Sequence, residues 1–345
     1  MIAPGAPVAS ATMPPSPVHV AVTYPGADLA RIRRHLGDNL DVTVTAVADL
    51  AGEERRRALR SADALLVWHW RSELPEGEAR GLPARMVQLL SAGADHVPFD
   101  EVPAGAVLAS NAGAYAEPMA EHVLAMVLAS VKDLRRHHDE LARGEWCQQA
   151  TGTLAEAVCA VVGYGGIGRA TARLLRAMGA SIWAVNTSGH TEDEVAFAGT
   201  LADLPQVLAT ADVVVLSVPL TRATRGLIGP AELASMKADA ILVNVARGAI
   251  VDQDALYAHL VRTPTFRAAI DTWWREPTHD GAFVLDHPFL ELPNVLGSPH
   301  NSGLVPGTVG RAVGRAAANV GRFLRGEPVH GVVHPEDYVD PSAAR

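Results

Sequence analysis

The sequence predicts an α/β protein made of two doubly wound parallel-sheet domains, Rossmann- or flavodoxin-like, with the active site in the cleft between them. Three observations lead there. Short apolar runs alternate with amphipathic helical stretches, the rhythm of parallel βαβ units. That rhythm runs once through the first third of the chain and starts afresh at Val158. A chain of 345 residues also exceeds one typical core and suits two domains.

The first series opens with HVAVTY (19–24) as a buried strand, followed by a basic amphipathic helix in ADLARIRRHLG. VTVTAV (42–47), ALLVW (64–68), MVQLL and AVLASN continue it as strands. A single long helix is expected from near Glu117 to Leu141, with a small, apolar face broad enough for a subunit or domain contact. The second series reads VCAVVGYG, helix, SIWAVN (181–186), then DVVVLSVP, AILVNVARG and RAAIDTW with helices between them. A last helix covers 305–325. No solenoid-type repeat is present.

Composition narrows the function. Hydrophobic residues at 48% and charged residues at 19% exclude wholesale disorder. A net charge of −9 argues against nucleic acid or an anionic membrane as the partner, though local cations still allow a small anionic substrate. Two cysteines, Cys147 and Cys159, imply no disulfide framework. No apolar run approaches the roughly 18 residues of a membrane span. Residues 1–17 are rich in Pro, Ala and Ser and lack a basic start or an apolar stretch, so a disordered leader is expected rather than a signal peptide. The expected compartment is cytoplasmic.

In AVVGYGGIGRATARLL an apolar strand leads through Gly163, Gly165 and Gly168 into a helix. Those glycines suit a tight turn, close approach of backbone to a pyrophosphate, and close helix–strand packing. The phosphates would meet the free N–H groups of a helix N-terminus. The spacing alone is a weak signal. Its position between strand and helix makes it a dinucleotide loop, the bland alternative being a glycine-rich turn. The next strand ends at Asn186, where an NAD-binding chain usually carries Asp or Glu for the ribose hydroxyls. An amide does not repel a 2′-phosphate, and Thr187, Ser188 and His190 are potential donors to one. Against NADP, no Arg or Lys lies between Asn186 and Arg222. NADP or NAD is expected, with the balance toward NADP.

Downstream, VNVARG, DTWWREP and SPHNSG supply Arg247, Glu276 and His300. A cation, a carboxylate and an imidazole are what hydride transfer to a 2-oxo acid needs. Each has a plain alternative as a surface ion pair, a solvated loop residue or a turn residue. The ordered set decides between them.

With SAGADHV, NAGAYAEPMAEH, GYGGIG, VPLTRATRGLIG, MKADAILVNVARGAIVD, DTWWREP and SPHNSG, the chain resembles the D-isomer-specific 2-hydroxyacid dehydrogenase family from about Ser91 to Gly303. The resemblance implies an NAD(P)-dependent oxidoreductase acting on a 2-oxo/2-hydroxy acid pair, in the direction of reduction to the D-hydroxy acid. It implies that Arg247 holds the substrate carboxylate and polarises the carbonyl. His300 would exchange the proton with the alkoxide, while Glu276 sets its tautomer and keeps that proton available near neutrality. Asp271 matches the position that contacts the nicotinamide carboxamide. The amides of Ala92 and Gly93 match a turn that cradles the substrate carboxylate. The same likeness extends the cofactor set to Tyr164, Gly166, Ile167, Val218, Pro219, Thr224, Val245, Ala246 and Gly303. It also implies a discontinuous substrate-binding domain (18–112 plus 301–345), a dinucleotide-binding domain (113–300), and a homodimer formed through the 117–141 region. Glu121 and His122 are read as structural or cofactor-proximal. No metal site is assigned.

Several positions depart from the family pattern. Ala116 stands where Thr is frequent, Trp273 and Trp274 replace smaller residues, and Asn301 and Ser302 add hydrogen-bonding capacity beside His300. In the loop VWHWRSEL (67–74), His69 and Trp70 either shape the substrate's side-chain end or simply pack under the loop. A second anionic group on the substrate is possible if Arg71 points inward. The alternatives to 2-oxo acid chemistry are phosphite or formate oxidation, the latter opposed by Glu276 because formate enzymes usually carry Gln there, and a non-catalytic NAD(P)-sensing role like that of the family's corepressors.

Overall fold

The computed structural model describes residues 17–37, 40–277 and 281–338. The leader expected at 1–17 lies, apart from Pro17, outside them. The chain divides into two compact units, one comprising residues up to Ala114 together with those from Pro306, the other Tyr115–Val305.

In the first unit the described strands are β1 (Val18–Val22), β2 (Val42–Ala46), β3 (Ala64–Val67), β4 (Met86–Leu89) and β5 (Val107–Ala109). They pair in parallel in the order β2-β1-β3-β4-β5. β3 and β4 are buried at every position, as strands covered on both faces must be. The order reverses between β1 and β3, which opens a crevice at their carboxyl ends. Helix Leu29–Leu36 starts at Asp28, whose carboxylate accepts the N–H of Arg31 at 2.9 Å. It packs against the C-terminal helix Thr308–Leu324. A Cβ at Gly314 would stand 2.8 Å from the His35 ring, and one at Gly321 would collide with the carbonyl of Leu36. The glycine spacing in that helix is therefore a close-packing device.

The second unit contributes β6 (Val158–Val162), β7 (Ser181–Val185), β8 (Phe197–Gly199), β9 (Val213–Leu216), β10 (Ile241–Asn244), β11 (Arg267–Ile270) and β12 (Val295–Gly297). These also pair only in parallel, in the order β12-β11-β10-β9-β6-β7-β8. The reversal lies between β6 and β9, next to the glycine loop. One face of the sheet is covered by helix Ala116–Val131, whose Val123, Met126 and Val127 meet Cys159, Val161 and Leu175. Burial pushes the Cys159 thiol up to about 12, aided by Asp212, so it is an inert core residue.

The single helix expected over 117–141 is two. It ends at Val131 and restarts at Leu134, because Asp133 adopts a left-handed backbone (φ 47°). The carboxylate of Asp133 accepts two bonds from Arg267, at 2.8 and 3.0 Å, and one from Arg136 at 3.0 Å. A bidentate tertiary pair outweighs local helix propensity here. Among the described residues, no helix is long and apolar enough to cross a membrane.

Candidate active site

In the second unit nearly all the residues singled out from sequence lie just beyond the carboxyl ends of strands. After β6, the amides of Gly163 and Tyr164 both donate to Val185 O at the end of β7, at 2.9 and 3.0 Å. Gly163 has φ +98°, and a Cβ there would lie 2.6 Å from the backbone of Ser217 and Val218. A Cβ on Gly168 would strike the carbonyl of Gly163, so the helix approaches the strand as closely as backbone permits. A Cβ on Gly165, by contrast, would meet nothing within 4 Å. Open space over that glycine, ahead of helix Gly166–Ala177, fits a bound pyrophosphate. The Tyr164 ring is buried in the core below, so any contact from this residue would come through its backbone.

Beyond β7, the side chain of Asn186 turns into its own loop. Its Oδ1 accepts the N–H and hydroxyl of Ser188, each at 3.0 Å, and its Nδ2 donates to His190 O at 2.9 Å. Asn186 thus shapes an exposed Thr187–Ser188–His190 loop. Beyond β9, the Thr224 hydroxyl is committed to the 219–224 turn, donating to Pro219 O at 2.6 Å and accepting from Thr221 N at 2.8 Å.

Asn244 closes β10 by donating to Arg247 O and accepting the N–H of Ala246, at 2.8 and 3.1 Å. The residue after Arg247, Gly248, packs against the backbone of Trp273 and Trp274, where a Cβ would stand 2.6 Å from Trp274 N. This contact brings Arg247 to the segment that carries Glu276. The Glu276 carboxylate is nearly buried. Its Oε1 accepts Trp273 N–H at 2.7 Å, and its Oε2 accepts from His300 Nδ1 at 2.7 Å. Burial raises its pKa, but the hydrogen bond and charge of His300, the Trp273 amide and the charge of Arg247 together hold it below the ordinary glutamate value. The Nδ1 bond leaves His300 Nε2 as the nitrogen able to reach a substrate.

His300 itself has φ +51°, outside the usual range for a residue with a side chain. Its loop is fixed from below by Asp271, which is wholly buried. The Asp271 carbonyl accepts His300 N–H at 2.8 Å. Its carboxylate accepts from the Ser298 hydroxyl at 2.6 Å, from Asn301 N at 3.1 Å and from Ser302 N at 3.2 Å. Trp273 adds its indole N–H to Ser298 O at 2.8 Å, so this tryptophan braces both Glu276 and the His300 loop. Gly303 follows, lying against the Tyr115 ring.

In the first unit, the amides of Ala92 and Gly93 donate to no atom among the described residues, while Ser91 Oγ donates to Gly93 O at 2.8 Å. Two expectations for the 67–74 loop need correcting. Trp70 is 1% exposed and belongs to the core with Leu74 and Val97, so it offers no surface to a ligand. Arg71 is bonded to the buried carboxylate of Glu101 at 2.6 Å, so its charge is already matched. His69 remains exposed and stacks on Trp68 with centroids 5.2 Å apart. The loop's organiser is Glu73, which sequence reasoning misses. Its carboxylate accepts the N–H groups of Trp68 (2.9 Å) and His69 (2.7 Å) and lies 2.6 Å from the Thr23 hydroxyl.

The family model for the D-isomer specific 2-hydroxyacid dehydrogenase NAD binding domain matches residues 124–302, more than half of the chain. The chain belongs to that family. As a D-isomer-specific 2-hydroxyacid dehydrogenase, it is an NAD(P)-dependent oxidoreductase of the 2-hydroxyacid class. It is 33% identical over 239 residues to a glyoxylate/hydroxypyruvate reductase B of Pectobacterium carotovorum, covering 67% of this chain and 73% of the relative. It is 28% identical over 324 residues to a D-3-phosphoglycerate dehydrogenase of Methanocaldococcus jannaschii, spanning 92% of this chain but only 59% of that longer protein. Among solved structures, a family member from Xanthobacter autotrophicus in complex with NADPH and MES aligns with a TM-score of 0.72 at 26% identity, covering 92% and 98% of the two chains.

Besides Glu73, the dehydrogenase contains two supports of the His300 loop that sequence reasoning does not identify as such. The carboxylate of Asp271, which the family resemblance assigns to the nicotinamide, also accepts from the loop that carries His300. Ser298 does not stand out in the sequence at all. A hydroxyl two residues before the imidazole is the available signal.

Proposed function

We propose that the dehydrogenase reduces a 2-oxo acid to the D-2-hydroxy acid, with NADP preferred over NAD, and that Arg247, Glu276 and His300 carry the chemistry. The observation that supports this most is the His300–Glu276 pair at 2.7 Å, with Arg247 near enough for its charge to act on the same carboxylate. The glycine loop after β6 would hold a reduced nicotinamide cofactor, whose chemistry when bound would be hydride donation to the carbonyl carbon. Arg247 holds the substrate carboxylate and draws charge toward the carbonyl oxygen. As that oxygen becomes an alkoxide, His300 Nε2 gives it a proton, and Glu276 stabilises the imidazolium beforehand. Oxidation reverses each transfer.

We assign cofactor binding to the second unit and substrate recognition mainly to the first, where the Ala92 and Gly93 amides form an anion-accepting turn and exposed His69 is available to the side chain. The name of the Pectobacterium relative, a reductase of glyoxylate and hydroxypyruvate, supports a short 2-oxo acid. NADP preference rests on Asn186, which places no carboxylate against a 2′-phosphate, and on the exposed hydroxyl of Thr187. The NADPH bound by the Xanthobacter protein is consistent with it. We place the protein in the cytoplasm, as a chain with two free thiols.

Glu276→Gln tests the dyad. Removing the anion beside the imidazole lets the imidazolium release its proton more readily. The alkaline limb of kcat/KM for reduction therefore moves to lower pH, while cofactor affinity stays within about twofold. An unmoved limb counts against the dyad. Stability has its own sign. Because the folded Glu276 pKa is lowered, the pair stabilises the fold above the ordinary glutamate value of 4.5, and that contribution is lost as pH falls through the lower folded value. The Gln variant should lack this component of acid unfolding.

We also propose a homodimer, with the Leu134–Ala142 helix and the strand-less segment after it as the contact. Leu134 and Leu141 are more than half exposed, and Trp146 is 81% exposed. Exposed apolar side chains of this size, close together on one stretch of chain, mark an interaction surface. Trp146→Ser should raise the dimer dissociation constant at least about tenfold in sedimentation equilibrium. A dimer of unchanged affinity would place the interface elsewhere.

A further inference from the structure

The second unit contains a hydrogen-bonded chain that ends under the catalytic loop and that the chemistry above does not use. His122 sits on the inward side of helix Ala116–Val131, with its side chain 27% exposed. Its Nε2 lies 3.0 Å from Ser298 Oγ, which in turn lies 2.6 Å from Asp271 Oδ1. Proton counting fixes the direction. An ionised carboxylate only accepts, so the single hydroxyl proton of Ser298 goes to Asp271. Ser298 Oγ can then only accept from the imidazole, and Nε2 of His122 must carry hydrogen. The chain runs His122 Nε2–H to Ser298 Oγ–H to Asp271.

Asp271 is wholly buried, so each donor it receives offsets the cost of holding its charge away from water. The same residue holds His300 by its carbonyl and the following two amides by its carboxylate. The His300 backbone is left-handed, a conformation that persists only when its surroundings over-determine it. His122, on a helix far away in sequence, supplies part of that constraint through Ser298.

We propose that His122 is a positioning residue for His300, acting through Ser298 and Asp271 to hold the imidazole in line with its proton acceptor. This rests on the reading of His300 as the proton donor. It assigns to the histidine of the AEH segment a role in turnover rather than in packing. Ser298→Ala cuts the chain one link further on and should reproduce the loss of His122.

The test uses the full-length protein and combines hydrogen exchange of the 298–303 segment with steady-state kinetics. His122→Leu should speed exchange of that segment by about tenfold and lower kcat by about tenfold, with KM for the 2-oxo acid changed less than about threefold. His122→Gln, which keeps an N–H near the Nε2 position, should recover most of both. The His122→Leu/Ser298→Ala double variant should lose no more than the worse single variant. Wild-type exchange in His122→Leu, faster exchange with unchanged kcat, a Gln variant no better than Leu, or additive losses in the double variant would each overturn the proposal. His300→Asn measured alongside separates the two questions. Its retention of full turnover would refute the catalytic reading, while the exchange data still decide whether the chain holds the loop.

Discussion

Arg247→Ala should lower kcat/KM for a 2-oxo acid by about 10³-fold or more while leaving the dissociation constant for the nicotinamide cofactor within about threefold. The charge of the Arg247 guanidinium acts on the Glu276 carboxylate, and in the proposed function its loss removes two effects together. On that proposal the substrate carboxylate would lose a charge-assisted partner, and the developing alkoxide would lose an attraction that strengthens as the oxygen becomes negative. In the proposed function, cofactor binding rests on other atoms, the glycine loop after β6 and the ends of β7 and β9. Against burial, which raises the Glu276 pKa, Arg247 also contributes to holding that carboxyl low, after the larger effects of His300 and the Trp273 amide. A modest change in the pH profile should therefore accompany the loss. Steady-state kinetics with fluorescence titration of the reduced cofactor checks both halves, and equal loss of turnover and cofactor affinity would remove the assigned role. Lysine is a poor substitute, since it lacks the planar pair of donors that a carboxylate matches.

His300→Asn should lower kcat by about 10³-fold, within the range expected of a lost general acid. Asparagine keeps a hydrogen-bonding side chain and tolerates the left-handed backbone of this position better than most residues, so the loop should survive. It cannot deliver a proton near neutral pH. The residual activity should lose the pH dependence attributed to the imidazole, because no titrating group remains at that point. A solvent-exchange or thermal-melt comparison with the parent checks that the fold is intact. If the variant keeps both its rate and its pH profile, another group supplies the proton.

Much of the fold is legible in the sequence because parallel strands covered on both faces are short apolar runs, and those runs recur at the expected intervals. The strands ending at Val162, Leu216, Asn244 and Ile270 can each be located this way, and the functional residues follow directly after them. The three-residue strands β8 and β12 escape recognition, since each is only partly buried, with one buried residue where β5 has two. The break at Asp133 is hidden for a related reason. Its cause is Arg267, a residue 134 positions away, which claims the carboxylate.

The same division holds at the candidate site. Arg247, Glu276 and His300 are readable as residue types in order, and the structure brings Glu276 and His300 into a hydrogen bond. Their supports are not readable. Glu73 looks like an ordinary helix acid until the amides of Trp68 and His69 are seen to converge on it. His122 meets Ser298 across 176 positions. Trp70 misleads because a tryptophan next to a histidine in a departing loop suggests a pocket wall, whereas alternation along the β3–helix turn sends it into the core. Side chains that act are marked by their chemistry; side chains that hold them are marked only by contact.

The most direct measurement is oxidation of NADPH and of NADH by the purified protein against 2-oxo acids graded in size and charge, with chiral analysis of the product. The proposed function predicts turnover of a short 2-oxo acid, formation of the D-2-hydroxy acid in equal amount to the cofactor oxidised, and a higher kcat/KM with NADPH. Binding of the cofactor without oxidation by any 2-oxo acid would contradict it, and so would formation of the L-hydroxy acid.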